Sequence, residues 1–140
     1  SMTGVYSYGD LGANFNGMRF WNHVLQKNDD ILGKKYNAGP YVKCQNGSWR
    51  IVKKINWGTY FDQSFSEGHN CSKFRTKSLY TKAIGQIKEL SQKVNQDLSC
   101  PYKDVNRSSL YKKYGPKISK SILNLEGHDY IKKKEVKNKP

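Results

Sequence analysis

The stretch "YVKCQNGSWRIVKKI", residues 41–55, constrains the fold more than any other part of the chain. Asn46-Gly47 at its centre is the strongest short hairpin signal present, because both residues tolerate the positive φ that a type I′ turn demands. Pairing outward from that turn sets Cys44 opposite Trp49 and Val42 opposite Ile51. Side chains alternate along a strand, so these four share one face while Lys43 and Arg50 share the other. The expectation is a β-hairpin over about residues 41–55, with Val42, Cys44, Trp49 and Ile51 buried beneath it.

Elsewhere the periodicity is helical. Leu11, Phe15, Met18, Trp21, Val24 and Leu25 recur at helical spacing after Asp10, which reads as the N-cap. Gly12 and Gly17 weaken that helix by roughly 1 kcal/mol each relative to alanine, which points to a close crossing with another element. Residues 28–40 read as a loop. Trp57, Tyr60, Phe61 and Phe65 mark one stripe of a short helix ending near Glu67. A longer helix runs from about Ser78 to Asn95, with Tyr80, Ile84, Ile87, Ser91 and Val94 inward. The last helical region starts at Ser108, is interrupted at Gly115-Pro116 and resumes to about Leu125, with Leu110, Tyr114, Ile118 and Ile122 inward. The sum is a mainly α fold, a compact bundle of four to five helices with one β-hairpin. Ser1-Met2 reads as a cloning scar, residues 3–131 as a single globular domain, and residues 132–140 as a basic C-terminal tail.

A chain of 140 residues can bury one core without metal or disulfide staples. Its hydrophobic content of 36% is low, offset by 13% aromatics that fill volume with few residues. The three cysteines, Cys44, Cys71 and Cys100, lie too far apart for a Cys-x-x-Cys metal knuckle, so neither metal nor cofactor is expected. One disulfide with a thiol left over suits an exported protein, and any of the three pairings satisfies the count.

Charge is the other strong constraint. The net is +14, and it is uneven: residues 1–70 hold eight basic against five acidic residues, residues 71–140 seventeen against six. Only four of the basic residues are arginines, Arg19, Arg50, Arg75 and Arg107. Guanine readout relies on arginine forks, whereas lysine acts as a point charge, so the composition favours an anionic surface or backbone over base recognition. On the last helical region Lys113, Lys117 and Lys120 fall on one flank, with Arg107 before them and Lys132, Lys133 and Lys134 after. These seven form the candidate lipid-binding surface. The expected partner is an anionic membrane surface, phosphoinositides above all, with nucleic acid as the alternative and the protein a monomer.

The chain nearly repeats itself once, as "SEGHN" (66–70) and "LEGHD" (125–129). Gly68 and Gly127 read as helix C-caps with a histidine favoured beside each terminus. The sharper alternative makes His69 and His128, with Glu67, the acid and base of a secreted ribonuclease-type toxin. It needs both histidines within reach of one phosphate. Glu126 completes the echo, and His23 is expected on the surface or partly packed.

With its many lysines and three cysteines the chain resembles, at the level of class, the small lysine-rich effectors that intracellular bacteria export. No diagnostic motif carries that likeness. It implies a mature secreted protein, its signal peptide removed, that acts in virulence on host components, as such effectors often do by binding.

Overall fold

The computed structural model describes residues 4–132. Helix α1 (Tyr8–Leu25) begins before Asp10, because the Ser7 hydroxyl accepts from the Asp10 amide at 2.9 Å and is the true N-cap. Its inward face is rotated from the expectation: Leu11 and Phe15 still pack against the core, but the most buried stripe is a different one. Gly9, Gly12, Asn16, Arg19 and His23 are buried, while Met18, Trp21 and Leu25 are exposed. The reason is a close approach: a Cβ on Gly12 would stand 2.5 Å from the Ser64 carbonyl oxygen. The small and polar stripe admits that neighbour, and the later part of the apolar stripe, Met18, Trp21 and Leu25, is left outside. Gly17 makes no such contact.

Three α-helices and two small sheets make up the described residues, so the bundle of four to five helices is corrected to a mixed α/β fold. The segment expected as a short helix before Glu67 forms two 3-10 turns, Trp57–Thr59 and Gln63–Phe65. Asn56 and Asp62 take the amides of Gly58 and Ser64 on their side chains, which favours a turn over a continuing helix. Helix α2 (Lys77–Val94) lies within a residue of expectation. Helix α3 (Arg107–Ile122) is broken at Gly115 (φ 66°, ψ 171°), and Pro116 opens its second piece.

Strands β2 (Val42–Gln45) and β3 (Ser48–Ile51) pair in the expected register, Val42 with Ile51 and Cys44 with Trp49. Asn46 (φ 49°) and Gly47 (φ 73°) both carry positive φ. The burial is not as expected. Trp49 is 66% and Ile51 82% exposed, and Cys44 is exposed as well. Val42 at the base is half-buried, and beyond it the hairpin's apolar face is exposed among the described residues. The second sheet orders β1 (Val5–Tyr6), β4 (Lys73–Phe74) and β5 (Asp129–Tyr130), with β1 antiparallel and β5 parallel to β4.

The apolar core gathers Leu110, Tyr114, Ile122, Leu123 and Leu125 against Leu11 and Phe15 of α1. Buried amides extend it. Asn70 Nδ2 donates to the carbonyls of Tyr8, Ser64 and Ile122, and its Oδ1 accepts from the Asn124 amide at 2.7 Å. Next to it a disulfide joins Cys71 to Cys100, leaving Cys44 free.

Candidate functional site

The buried stripe of α1 ends in a charged network. Arg19 Nε donates to both carboxylate oxygens of Asp30, at 3.1 and 2.9 Å, and Arg19 Nη1 donates to Asn16 Oδ1 at 2.7 Å. His23 Nε2 lies 2.9 Å from Asp30 Oδ2, close but misaligned for a hydrogen bond. Its Nδ1 meets the Tyr60 hydroxyl at 2.7 Å, and that hydroxyl meets the one on Tyr41 at 2.7 Å. Burial lowers the His23 pKa, with Asp30 opposing it in part and Arg19 adding to it. The ring is therefore neutral near pH 7. Burial also pushes the Tyr60 phenol far up, with the Tyr41 hydroxyl adding to it.

A cleft of about 470 Å³ opens in front of this network. The loop carrying Lys35, Tyr36 and Asn37 forms one wall, Gly58 and Thr59 the second, and Ser109 and Lys113 of α3 the third. Asp62 sits in the lining, where it binds Lys113 Nζ and accepts from the Tyr114 hydroxyl at 2.7 Å. Burial alone would raise the Asp62 carboxyl; donors from Lys113, Ser64 and Tyr114 outweigh it and hold the group below the usual carboxylate range. Burial draws the Lys113 ammonium down, with Asp62 offsetting part of that. Asp62 thus has its oxygens taken by protein donors. Lys113 has hydrogens to spare beyond its bond to Asp62. Lys35 is exposed, rests 5.1 Å from the centre of the Tyr36 ring, and forms no ion pair among the described residues. Behind the wall, Arg19 Nη2 is buried without a hydrogen-bond partner among the described residues. Two of that guanidinium's neighbours, the Thr59 carbonyl and the Tyr36 ring, belong to the cleft lining.

The segment that supplies Gly58, Thr59 and Asp62 turns Trp57 and Phe61 outward, 50% and 58% exposed and stacked 5.6 Å apart. Phe20 touches Trp57, Trp21 and Tyr41 in turn, so a chain of aromatic contacts runs from that segment to buried Tyr41 at the base of the hairpin.

The lysine flank expected on α3 is not one surface. Lys113 is half-buried and held by Asp62 rather than exposed, and the break at Gly115 separates it from Lys117 and Lys120 on the second piece of the helix. Arg107 pairs with Glu126 at 2.9 Å. Lys117 and Lys120 are exposed without an ion pair among the described residues, and Lys132 Nζ stands 3.8 Å from Asp129. Lys133 and Lys134 lie outside the described residues.

The Glu-Gly-His repeat takes structural roles of a different kind from capping. Neither glycine follows an α-helix terminus directly; α3 ends at Ile122 and the segment before Gly68 is a 3-10 turn. A Cβ on Gly68 would enter the Tyr102 ring at 2.3 Å, so packing fixes that glycine. Glu67 ties the Ser7 and Ser72 hydroxyls together. His69 Nε2 meets Asp104 at 2.8 Å, whereas His128 Nδ1 meets the Ser72 carbonyl at 3.1 Å. Among the described residues no hydrogen bond or ring contact joins the two histidines. His23, expected near the surface, is fully buried.

The stripe Gly9, Gly12, Asn16, Arg19 and His23 did carry a readable signal, a polar residue set at helical spacing, which the apolar stripe beside it outweighed. Asp62 gave no signal of its own. Among the described residues no cluster of three His, Cys, Asp or Glu could hold a metal, and no helix is long and apolar enough to cross a membrane. Comparison with family models, curated proteins and solved structures finds no match to this chain.

Proposed function

We propose that the protein is a secreted binding module for anionic phospholipid headgroups, phosphoinositides in particular. The observation that carries this reading is the cleft: two lysines line it, its one carboxylate is bonded to three protein donors, and the segment that forms one of its walls turns Trp57 and Phe61 outward. A phosphate monoester would take the spare hydrogens of Lys113 together with Lys35. Aromatic rings at the rim suit the headgroup level of a bilayer, where tryptophan is enriched. The net charge of +14 adds long-range attraction to an anionic leaflet. The Cys71–Cys100 disulfide fits the secreted part of the reading, since such bonds persist in oxidising compartments. The effector role stays with the class resemblance alone.

The nuclease alternative has less support, because His69 and His128 are spent on separate structural partners.

The test is calorimetry with a soluble inositol polyphosphate beside sedimentation with phosphoinositide vesicles. Lys35→Glu should weaken both by tenfold or more, while Lys117→Glu with Lys120→Glu leaves the soluble ligand's affinity within about threefold of the parent. The reverse pattern would move the site to the exposed face of α3. No binding to either, with RNA cleaved instead, would overturn the reading in favour of the nuclease.

A further inference from the structure

Beyond Val42, which is half-buried, the hairpin's apolar face is left exposed among the described residues. Val42, Cys44, Trp49 and Ile51 lie on one side of a two-stranded ribbon, and the last three of these are solvent-exposed. A ribbon of two strands is at best marginally stable alone, and burying a face is what normally fixes it. Its other side is just as unusual. Lys43 stands directly across from Arg50 in the register, and like charges in that position repel. None of Lys43, Arg50, Lys53 or Lys54 has an acidic ion-pair partner among the described residues.

One environment satisfies both sides at once. At the boundary of an anionic bilayer the acyl region begins beneath a layer of phosphates, and an interfacial element sits roughly 5–10 Å into that boundary. A ribbon lying flat there would direct Trp49 and Ile51 toward the acyl chains and Lys43 and Arg50 toward the phosphates. The two strands, about 4.8 Å apart in the plane of the ribbon, then lie at one depth, with the apolar row below and the basic row above. Basic Lys53 and Lys54 follow immediately, where their long stems can snorkel to the headgroups. Continuity supports the same placement: Tyr41, whose carbonyl accepts from Val52 at the ribbon's base, stacks on Phe20 and so joins the hairpin to exposed Trp21 and Trp57.

We infer that the hairpin of residues 42–51 is a membrane-inserting wedge, which lays its Trp49 and Ile51 face into the interface of an anionic bilayer. This rests on the headgroup reading above and deepens it, separating the lipid's phosphate in the cleft from the bilayer's interior under the ribbon.

Cys44 offers a probe, being the free thiol on the same face and the cross-strand partner of Trp49. An environment-sensitive fluorophore on its Sγ should shift to the blue and brighten with phosphatidylcholine vesicles containing a phosphoinositide, and nitroxides placed shallowly on the acyl chains should quench it. Ile51→Asp should abolish the shift and weaken vesicle sedimentation by tenfold or more, yet leave calorimetric binding of a soluble inositol polyphosphate within twofold. If the protein sediments and the fluorophore stays in water, the wedge is wrong and the headgroup reading stands. If neither vesicles nor the soluble ligand bind, the headgroup reading has failed and the wedge falls with it. A blue shift that grows with protein concentration in the absence of lipid, with a dimer by light scattering, would assign the face to a second copy and overturn the wedge.

Discussion

At the scale of single residues, the folded state is marked by charge placed inside it. Arg19 and Asp30 are both buried, so removing one partner leaves the other without compensation. Asp30→Ala should destabilise the protein by about 3–5 kcal/mol, measured by denaturant unfolding. His23 beside them gives a pH signature. Its folded pKa lies below the ordinary 6.5, so the folded state refuses a proton that the unfolded chain accepts. Nothing is lost above pH 6.5. Below it stability falls with acid, at up to about 1.4 kcal/mol per pH unit until the folded ring itself titrates. His23→Gln should flatten stability between about pH 7 and pH 5, whatever its own effect at neutral pH. Asp62 acts in a separate window: its depressed carboxyl contributes stability that is present above pH 3.8 and lost as pH falls further. An unfolding midpoint that drops as steeply through pH 6 in His23→Gln as in the parent would assign the acid loss to some other group.

At the scale of elements, what the sequence disclosed and what it withheld divide along a physical line. The hairpin's register followed from two local facts, a period of two and a turn whose residues accept positive φ, and both are complete within ten residues. Whether that ribbon is buried depends on a surface elsewhere in the chain, and no local pattern reports it. The same holds for α1. Periodicity located the helix, but its inward face was decided by how closely Ser64 approaches Gly12, a contact made across fifty residues of chain. The cleft was illegible for the same reason, since Lys35, Asp62 and Lys113 come from three separate segments. Lys113 alone was anticipated, and in a different setting. The hairpin prediction follows directly. Trp49→Ser removes a side chain that is largely exposed, so global stability should stay within about 0.5 kcal/mol of the parent. Gly115→Ala, in contrast, forces a side chain onto φ 66°, ψ 171° at the break in α3, a conformation almost confined to glycine, and should cost about 1–3 kcal/mol. Thermal unfolding of the two variants side by side tests both, and a large loss in Trp49→Ser would mean that the hairpin's face is covered.

At the scale of the whole molecule, stability is unevenly shared, and the disulfide marks where. Helix α2 has no buried residue, and it leans on the body through Tyr80, Ile84 and Ile87, which with Cys100 and His128 border a shallow cavity. Cys71 and Cys100 close a loop with a sequence separation of 29 that contains all of α2. Closing a loop of that size stabilises a fold by about 3–4 kcal/mol in the chain-entropy account. The apolar core between α1 and α3 lies outside the loop and keeps its own contacts when the bond is gone. Replacing both Cys71 and Cys100 by Ser should therefore act in a graded way. Amides of α2 should exchange with solvent first, near the rate of an open helix, because a lone 18-residue amphipathic helix is only marginal in water. Amides of α1 and of the first piece of α3 should keep most of their protection relative to α2, although the global midpoint falls. Hydrogen exchange read by mass spectrometry on the parent and the double variant separates the outcomes. Loss of protection in all three helices together would mean that α2 is part of one cooperative unit with the core, and that its packing through Ile84 and Ile87 holds far more tightly than its exposure implies.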